Sequence, residues 1–515
     1  MKGDDLREAA LIPVPPGRKA VATALIMAAT VLVVIDATIA NVVLPHMQAA
    51  LGATPETITW VLTSYVLASA IGTPITGWLT GRFGRTQFFA VAVLGFTISS
   101  ALCGFAATLP IMVAARISQG FFGAFLVPMS QTFLYDMNPP STQVRAITIW
   151  GIAVNASPIV GPVLGAYLAD ALNWRWVFFI NVPIGVVTAI GILLILPNAP
   201  ATRRAFDHIG FVLILVAVCG LQLALDRGTQ QDWFESTEIL IEMSLSVGAF
   251  WMLFFYLRHA RDPLVPMALF RIPEFNAAVV ISCVVLPVVT AASALLPPVL
   301  QILLGYPIET TAIVLIPRAI AVMVGIMIGG PLMKRIDSRF QIIAGVLMIA
   351  WSLELQTRFT IEMGQQLIIW SGILQGFGLG LSMIVINFVA IASTPASLRT
   401  EGAAVYTLIR NVATSVMIAI CSVLLARNIQ LNHLEIGSAL SSSSLPFWLS
   451  QFAASAGGAQ RVAAMADIEV NRQALMIAYL DDFYMMMWAT LATIPLVLLI
   501  KPMGRPDGEA IAVME

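Results

Sequence analysis

Four ionisable residues lie deep inside long apolar segments of this chain: Asp36, Arg116, Arg318 and Arg410. Placing a charge in an apolar environment is costly, so such residues in a membrane protein mark functional sites. A carboxylate beside a buried cation can take up and release a proton. At about 1.5 Å per helical residue, Asp36 lies ~14 Å and Arg116 ~9 Å from the same end of their segments. These depths allow the two residues to pair, as a proton-coupling site or as a static salt bridge.

Polar side chains at similar depths are candidates for a substrate cavity. Gln119 lies one helical turn after Arg116, although the glycines that follow it would equally suit close helix packing. Arg318 and Arg410 could bind an anionic or zwitterionic substrate group, balance the charge of Asp36, or make structural hydrogen bonds. The remaining cavity candidates are polar residues of the same segments, namely Thr38, Asn41, Asn155 and Asn387.

The elements that carry these residues are hydrophobic segments long enough to cross a lipid bilayer. Of the 515 residues, 59% are hydrophobic and only 11% are charged, more apolar surface than a soluble chain could bury. Helices of ~20 apolar residues cross a bilayer because they satisfy their own backbone hydrogen bonds. An all-α polytopic membrane protein with fourteen transmembrane helices is predicted. Its spans are 20–45, 57–80, 86–107, 110–134, 145–169, 175–197, 207–226, 238–257, 274–298, 309–333, 340–358, 365–392, 402–426 and 476–500.

The charge distribution predicts an orientation and excludes several classes of protein. Positive residues concentrate in cytoplasmic loops. Of the 27 Lys and Arg residues, three lie within spans, and with a cytoplasmic N-terminus eighteen of the rest fall inside and six outside. Both termini are therefore predicted to be cytoplasmic. A net charge of −1, the absence of a Gly-Lys-Ser/Thr loop and the scattered Cys and His residues predict no nucleic acid, no nucleotide, no metal and no other cofactor.

An internal repeat divides the chain into two halves. Gly77-Trp-Leu-Thr-Gly-Arg82 recurs as Gly330-Pro-Leu-Met-Lys-Arg335, and Gln119-Gly-Phe recurs as Gln375-Gly-Phe, at offsets of 253 and 256 residues. Two six-helix halves follow from this pattern, with two inserted spans that we expect at the periphery. The predicted organisation is a cytoplasmic tail 1–19, a first half 20–197, two inserted helices 198–262, a second half 263–500 containing an outside loop 427–475, and a cytoplasmic tail 501–515.

Motifs occur along nearly the whole chain. They are Ile35–Pro45, Gly77–Arg85 (with Gly77, Arg82, Gly84 and Arg85), Arg116–Gly120, Ser157–Gly165, Trp174–Gly185, and Leu225–Gly228 with Asp232–Phe234. Together they resemble the major facilitator superfamily, and within it the fourteen-span drug:proton antiporters of the EmrB/QacA type. The resemblance implies that Asp36 and Arg116 serve proton coupling. It also implies a rocking joint in span five, formed by Pro158, Gly161, Pro162 and Gly165 on one helix face. Where the family usually has an acid in the loop motif, this chain has Gly81.

The resemblance implies a proton-coupled secondary antiporter rather than an enzyme. It would export amphipathic or hydrophobic drugs from a bacterial inner membrane by alternating access, driven by the proton gradient. Its partners would be small substrates, protons, the bilayer, and a periplasmic adaptor that leads to an outer-membrane channel. The outside loop could meet that adaptor or be solvated without a partner. Alternatives are an exporter of an endogenous metabolite or siderophore, and a non-transporting sensor or lipid flippase on the same fold.

Overall fold

The described part of the chain is built from helices, as predicted. The computed structural model describes residues 15–197, 205–228, 231, 233–260, 262–333, 335–439 and 458–500, and none of these residues forms a strand. Short helical turns accompany the long helices, for example Ile494–Val497 near the end of the described chain. The fourteen long helices are α1 Pro16–Leu51, α2 Pro55–Phe83, α3 Arg85–Phe105, α4 Leu109–Asp136, α5 Pro140–Ala171, α6 Trp176–Ile195, α7 His208–Arg227, α8 Thr237–His259, α9 Pro273–Leu303, α10 Ile308–Leu332, α11 Ser338–Gln356, α12 Gln365–Ala392, α13 Arg399–Ala439 and α14 Gly458–Leu491.

Each predicted span overlaps one of these helices, so the all-helical prediction is confirmed. Among the described residues, twelve helices are long and apolar enough to cross a membrane. Helix α5 is bent by 41° between Thr142–Pro158 and Val160–Ala171, and it makes a thirteenth if the bent pair is one span. Helix α14 carries Asp481 and Asp482 in its apolar part and is not in that group. A total of fourteen crossings is compatible with this structure and stays a prediction.

The helices form two bundles that follow the predicted repeat. In the first, α1 packs on α5 and α6, α3 on α6, and α2 on α4. In the second, α12 packs on α10 and α11, while α13 and α14 pack on each other and on α9 and α11, respectively. The inserted helices α7 and α8 pack on each other, and α7 also contacts α2 and α13. Only 17% of the apolar window of α8 is buried inside the protein, so this helix lies at the outside of the bundle.

We define the terminal face as the end of the bundle at which Pro16 and Ile500 lie. Arg339, at the start of α11, donates a hydrogen bond to the Ile500 carbonyl there. At this end the two halves touch through α13, which contacts α2 and α4, and through α10, which contacts α5. A residue with φ +84° and ψ 139°, Gly84, separates α2 from α3 and allows the sharp turn between them.

At the far end of the bundle, the predicted outside segment 427–475 contains two helical parts. Helix α13 continues to Ala439 and α14 already begins at Gly458, so much of 427–475 is helix and residues 440–457 alone lie outside the described part. Helix α13 has 41 residues, which at 1.5 Å per residue is ~60 Å, about twice the hydrocarbon thickness. The two helices run antiparallel, with His433 Nε2 3.0 Å from an Asp467 carboxylate oxygen. We call 427–439 with 458–475 the helical hairpin.

Candidate proton-coupling and substrate site

Asp36 lies in the interior of the first half, where side chains of two other helices meet it. Its exposed fraction is 0%. One carboxylate oxygen accepts a hydrogen bond from Arg116 of α4 at 2.7 Å. The other accepts from the side-chain amides of Gln119 at 2.8 Å and Asn181 of α6 at 2.9 Å. We call these four residues the Asp36 network. The predicted pairing of the acid with the arginine is therefore direct, within one half of the protein.

The arginine of the Asp36 network is as enclosed as the acid. Arg116 is 1% exposed, and its Nε donates to the Val61 carbonyl of α2 at 3.1 Å. The guanidinium also donates to Gln119 at 2.8 Å and lies 4.3 Å from the centre of the Tyr65 ring. A cation over an aromatic face is stabilised by the ring quadrupole. Helices α1, α2, α4 and α6 thus all contribute to this one ion pair.

A further hydrogen-bond chain connects the network to α3. Asn181 donates to the Ser100 hydroxyl at 3.0 Å, and Ser100 donates to the Phe178 carbonyl at 2.9 Å. Asn181 is not among the predicted site residues, although it lies in the motif that opens span six. Gln119 was predicted to form a cavity wall, whereas the structure places it as a direct partner of the acid. Because Arg116, Gln119 and Asn181 all donate to the Asp36 carboxylate, a change in its charge alters contacts on several helices at once.

Three of the predicted cavity residues bond mainly to their own helices. Thr38 donates to the Val34 and Ile35 carbonyls, and Asn41 donates to the Ala37 carbonyl at 3.2 Å. Asn155 donates to the Gly151 carbonyl at 2.8 Å and is partly exposed. These bonds hold the side chains along the helix without linking them to one another.

Two half-buried arginines of the second half, Arg318 and Arg410, have no acidic partner among the described residues. Arg318 donates to the Val289 carbonyl at 2.9 Å and to the Ser293 hydroxyl of α9. Arg410 lies 5.5 Å from the centre of the Tyr406 ring, and its Nε is buried without a hydrogen bond. Tyr406 in turn donates to Asn387, a predicted cavity residue, at 2.7 Å.

At the terminal face, one acid bridges the two halves. Asp136, at the end of α4, is 2% exposed, and its two carboxylate oxygens accept from Arg85 at 2.6 Å and from Arg399 of the second half at 2.5 Å. The Tyr135 hydroxyl donates to the Phe388 carbonyl across the same boundary at 3.2 Å. Asp136 and Arg399 are not among the predicted site residues. We call Arg85, Asp136 and Arg399 the terminal-face bridge.

The loop motif lies beside this bridge. A side-chain carbon on Gly77 would collide with Glu401 of α13, so glycine permits the close approach of the halves. Gly81 lines a cavity of about 350 Å³ together with Thr80, Arg85, Thr400 and other residues of both halves. Arg82 is exposed. The ion pair that joins the halves here is thus made by Asp136, and the position of the usual loop acid borders an open space.

The proline and glycine motif of span five lies at the bend of α5. Pro158 ends the first segment of the bent helix, and Pro162 follows it one turn later. Side-chain carbons on Gly161 and Gly165 would collide with Thr38 and Ile39 of α1. The motif therefore combines a proline bend with tight packing of α5 on α1.

Comparisons with known proteins agree with this architecture. Residues 26–418 match the family profile described as Major Facilitator Superfamily. The chain is 31% identical over 405 residues to the "Fatty acid resistance protein FarB" of Neisseria gonorrhoeae, covering 78% of this chain and 79% of that protein. It is 28% identical over 496 residues to the "Multidrug export protein EmrB" of Escherichia coli strain K12, covering 95% of this chain and 97% of that protein.

Solved structures show the same fold at low sequence identity. The crystal structure of the human organic anion transporter MFSD10 (TETRAN) has a TM-score of 0.62 at 11% identity, covering 94% of this chain and 100% of that one. A double tryptophan mutant of XylE has a TM-score of 0.62 at 12% identity, covering 94% and 96%. At such identities the likeness concerns the arrangement of the helices alone.

Proposed function

Because the chain belongs to the Major Facilitator Superfamily, we propose that it is a multidrug exporter that exchanges its substrates for protons. The names of two relatives, a multidrug export protein and a fatty acid resistance protein, support export of small amphipathic compounds. The observation that carries the proposal is the Asp36 network, in which a fully buried acid is bonded by three side chains.

Proton exchange at Asp36 would be coupled to helix packing through these bonds. While the acid is charged, it holds α4 and α6 against α1. When a proton binds, Arg116 loses its counter-charge inside the protein, and leaving one member of a buried pair without its partner costs about 3–5 kcal/mol. That free energy favours another arrangement of the helices, in which Arg116 finds water or an acceptor elsewhere. Protonation and conformation are therefore linked in both directions.

Two further features support alternating access. The terminal-face bridge and the contact of Tyr135 with Phe388 hold the halves together at one end, and an opposite conformation requires these contacts to break. The bend at Pro158 provides a position at which α5 can change its angle. Protons would enter and substrates leave as the halves rock about this region.

The substrate site is proposed to lie between the halves near Arg410, Tyr406 and Asn387, with Arg318 on its far side. In the described part of the chain these two arginines have no acidic partner, so each would place a positive charge beside the site. A positive, mainly apolar site favours amphipathic compounds with a negative group. Thr38, Asn41 and Asn155 would contribute polar contacts from the first half.

We further propose a bacterial inner-membrane location with both termini cytoplasmic, on the basis of the distribution of Lys and Arg. The terminal face is then cytoplasmic, and the helical hairpin extends into the periplasm. Large apolar side chains on the hairpin are exposed, including Leu434 at 66% and Ile468 at 67%. Such side chains suit docking of a periplasmic adaptor protein on the way to an outer-membrane channel.

The experiment uses the purified full chain in proteoliposomes with an imposed pH gradient. Two fluorescent amphipathic probes, the anion 8-anilinonaphthalene sulfonate and the cation ethidium, report transport, and a pH-sensitive dye reports proton movement. Wild type should move protons against at least one probe, the anion preferentially. Asp36→Asn should keep its amount in the membrane and its elution profile but lose gradient-driven transport.

The matched control is Asp170→Asn, which changes an exposed aspartate near the end of α5 and should leave transport intact. Full gradient-driven transport by Asp36→Asn would contradict the role of this acid. A wild-type protein that moves no protons with either probe would favour a sensor or lipid flippase instead.

A further inference from the structure

A second buried acid lies in the other half of the protein, outside the Asp36 network. Asp482 of α14 is 0% exposed, and neither of its carboxylate oxygens has a hydrogen-bond partner. No ion pair reaches it from the described residues. A charged carboxylate without donors or a counter-ion is far more costly in a protein interior than the neutral acid. The surroundings of Asp482 therefore favour its protonated form.

The internal repeat relates the surroundings of Asp482 to the Asp36 network. At the offset of 256 residues, Gln375 corresponds to Gln119 and Gln356 corresponds to Ser100. Both glutamines are 0% exposed, and in both the amide nitrogen and oxygen lack hydrogen-bond partners. In the first half, Gln119 donates to Asp36, and Ser100 accepts a hydrogen bond from Asn181. The second half thus has two buried amides whose hydrogen-bonding groups are unused in this conformation.

Contacts between α11 and α14 bring Gln356 and Asp482 to the same level. The ring centres of Phe359 and Phe483 are 6.1 Å apart. Gln356 is the last residue of α11, three residues before Phe359, and Asp482 directly precedes Phe483. Asp482 follows Asn181 by 301 residues in the sequence. The predicted start of span fourteen, residue 476, follows that of span six, residue 175, by the same number. By this sequence offset, Asp482 corresponds to Asn181 of the first half.

Titratable neighbours do not neutralise Asp482. On its own helix they are Tyr479 and the exposed Asp481, which accepts a hydrogen bond from Asn428 at 3.3 Å. Helix α13 contributes the thiol of Cys421.

Charged groups on the other packed helices are engaged elsewhere. Glu354 and Arg358 pair with each other at the end of α11, and Arg318 bonds to α9. Cys283 of α9 has Arg410 as its charged neighbour. Where the first half has Arg116, the repeat offset places Gly372. In the described part of the chain, no cation is bonded to the second acid as Arg116 is to the first.

We propose that Asp482 is a second proton-binding site, which holds its proton while the terminal face is closed and releases it to water when the halves rearrange. The amides of Gln356 and Gln375 would then donate to the carboxylate, as Gln119 and Asn181 donate to Asp36. The inference rests on the proton exchange proposed above, and it makes the exchange a transfer from two sites rather than one.

The first test is independent of transport. Infrared difference spectra of the full chain in detergent at neutral pH should contain a carbonyl band of a protonated carboxylic acid. Asp482→Asn should remove this band, whereas Asp481→Asn, which changes the exposed neighbour, should keep it. Asp482→Glu keeps an acid at the site and should restore a band if the asparagine variant folds poorly. Unchanged spectra in a folded Asp482→Asn variant would overturn the proposal.

The second test separates a proton carrier from a permanently neutral acid. In proteoliposomes, the ratio of protons to 8-anilinonaphthalene sulfonate or ethidium moved is obtained from the pH gradient that just stops net transport. Asp482→Asn should lower this ratio by about half, whereas Asp36→Asn should abolish coupled transport. A ratio equal to wild type in Asp482→Asn would reject the second site alone. Loss of proton movement in wild type would instead reject the proposed function.

Discussion

Arg399 is the residue through which the second half joins the terminal-face bridge. Replacing it should shift the protein toward the conformation in which the halves separate at the terminal face. The change is Arg399→Gln, which removes one of the two cations bonded to Asp136. The acid keeps Arg85, so the first half keeps its own ion pair. The substitution removes only the ion pair between Asp136 and Arg399. Because glutamine is also polar, the disturbance to α13 should be small.

The size of the shift follows from the burial of the pair. Asp136 is 2% and Arg399 18% exposed, so water screens the bond weakly. A hydrogen bond between charged groups contributes about 1.5–3 kcal/mol. Because 1.4 kcal/mol corresponds to a factor of ten, the equilibrium between conformations should shift by about 10- to 150-fold.

Alkylation of a cysteine at the terminal face measures this shift. Thr400 is 3% exposed and lines the cavity between the halves, so Thr400→Cys should react with N-ethylmaleimide only when the halves separate. The background replaces the four natural cysteines by alanine. Arg339→Gln is the matched control, because Arg339 bonds within its own half to the Ile500 carbonyl. Equal labelling rates in the Arg399→Gln and Arg339→Gln proteins would refute the reasoning.

Four other outcomes are expected. Arg116→Ala leaves Asp36 without a cation and should lower the free energy of unfolding by about 3–5 kcal/mol, more than Asp36→Asn, and equal melting temperatures of the two purified variants would contradict this. Gly84→Ala forces a side chain into a strained conformation and should cost about 1–3 kcal/mol by the same assay, whereas Gly248→Ala in α8, with nothing within 4 Å, should be neutral or better. Arg410→Gln should slow transport of the anionic probe and spare ethidium, and equal slowing of both would remove Arg410 from charge recognition. Leu434→Arg with Ile468→Arg should abolish co-purification of an adaptor while proton exchange in proteoliposomes persists, and retained co-purification would exclude the hairpin.

The buried charges of the first half could be predicted because they interrupt apolar segments. Asp36 and Arg116 stand out in the sequence, and helical geometry places them at similar depths. Asn181 could not be chosen in this way, because polar amides are common near helix ends and its contact with Asp36 joins residues 145 positions apart. Whether an amide faces an acid depends on the rotation of two helices about their axes, which hydropathy does not determine.

The roles of charged residues near helix ends are not indicated by the sequence. Arg399 and Asp136 each look like ordinary charges at a membrane boundary, and only the packing of the halves brings them together. Asp482 lies next to Asp481 close to the predicted start of span fourteen, so the pair reads as a solvated edge. In the structure, α14 begins almost five turns before the predicted span. Its first part, rich in Ala, Arg and Glu, forms a helix without being apolar.

Because α13 is one continuous helix, a tilt at one end moves the other end. Its first residue, Arg399, belongs to the terminal-face bridge, and its last described turn belongs to the helical hairpin ~60 Å away. A straight rod of this length that tilts by ~10° at one end moves its tip by ~10 Å. If breaking the Asp136–Arg399 ion pair lets α13 tilt, the helical hairpin on the other side of the membrane would move by a large distance. A partner bound to the hairpin would receive a mechanical signal of each transport cycle without contacting the substrate.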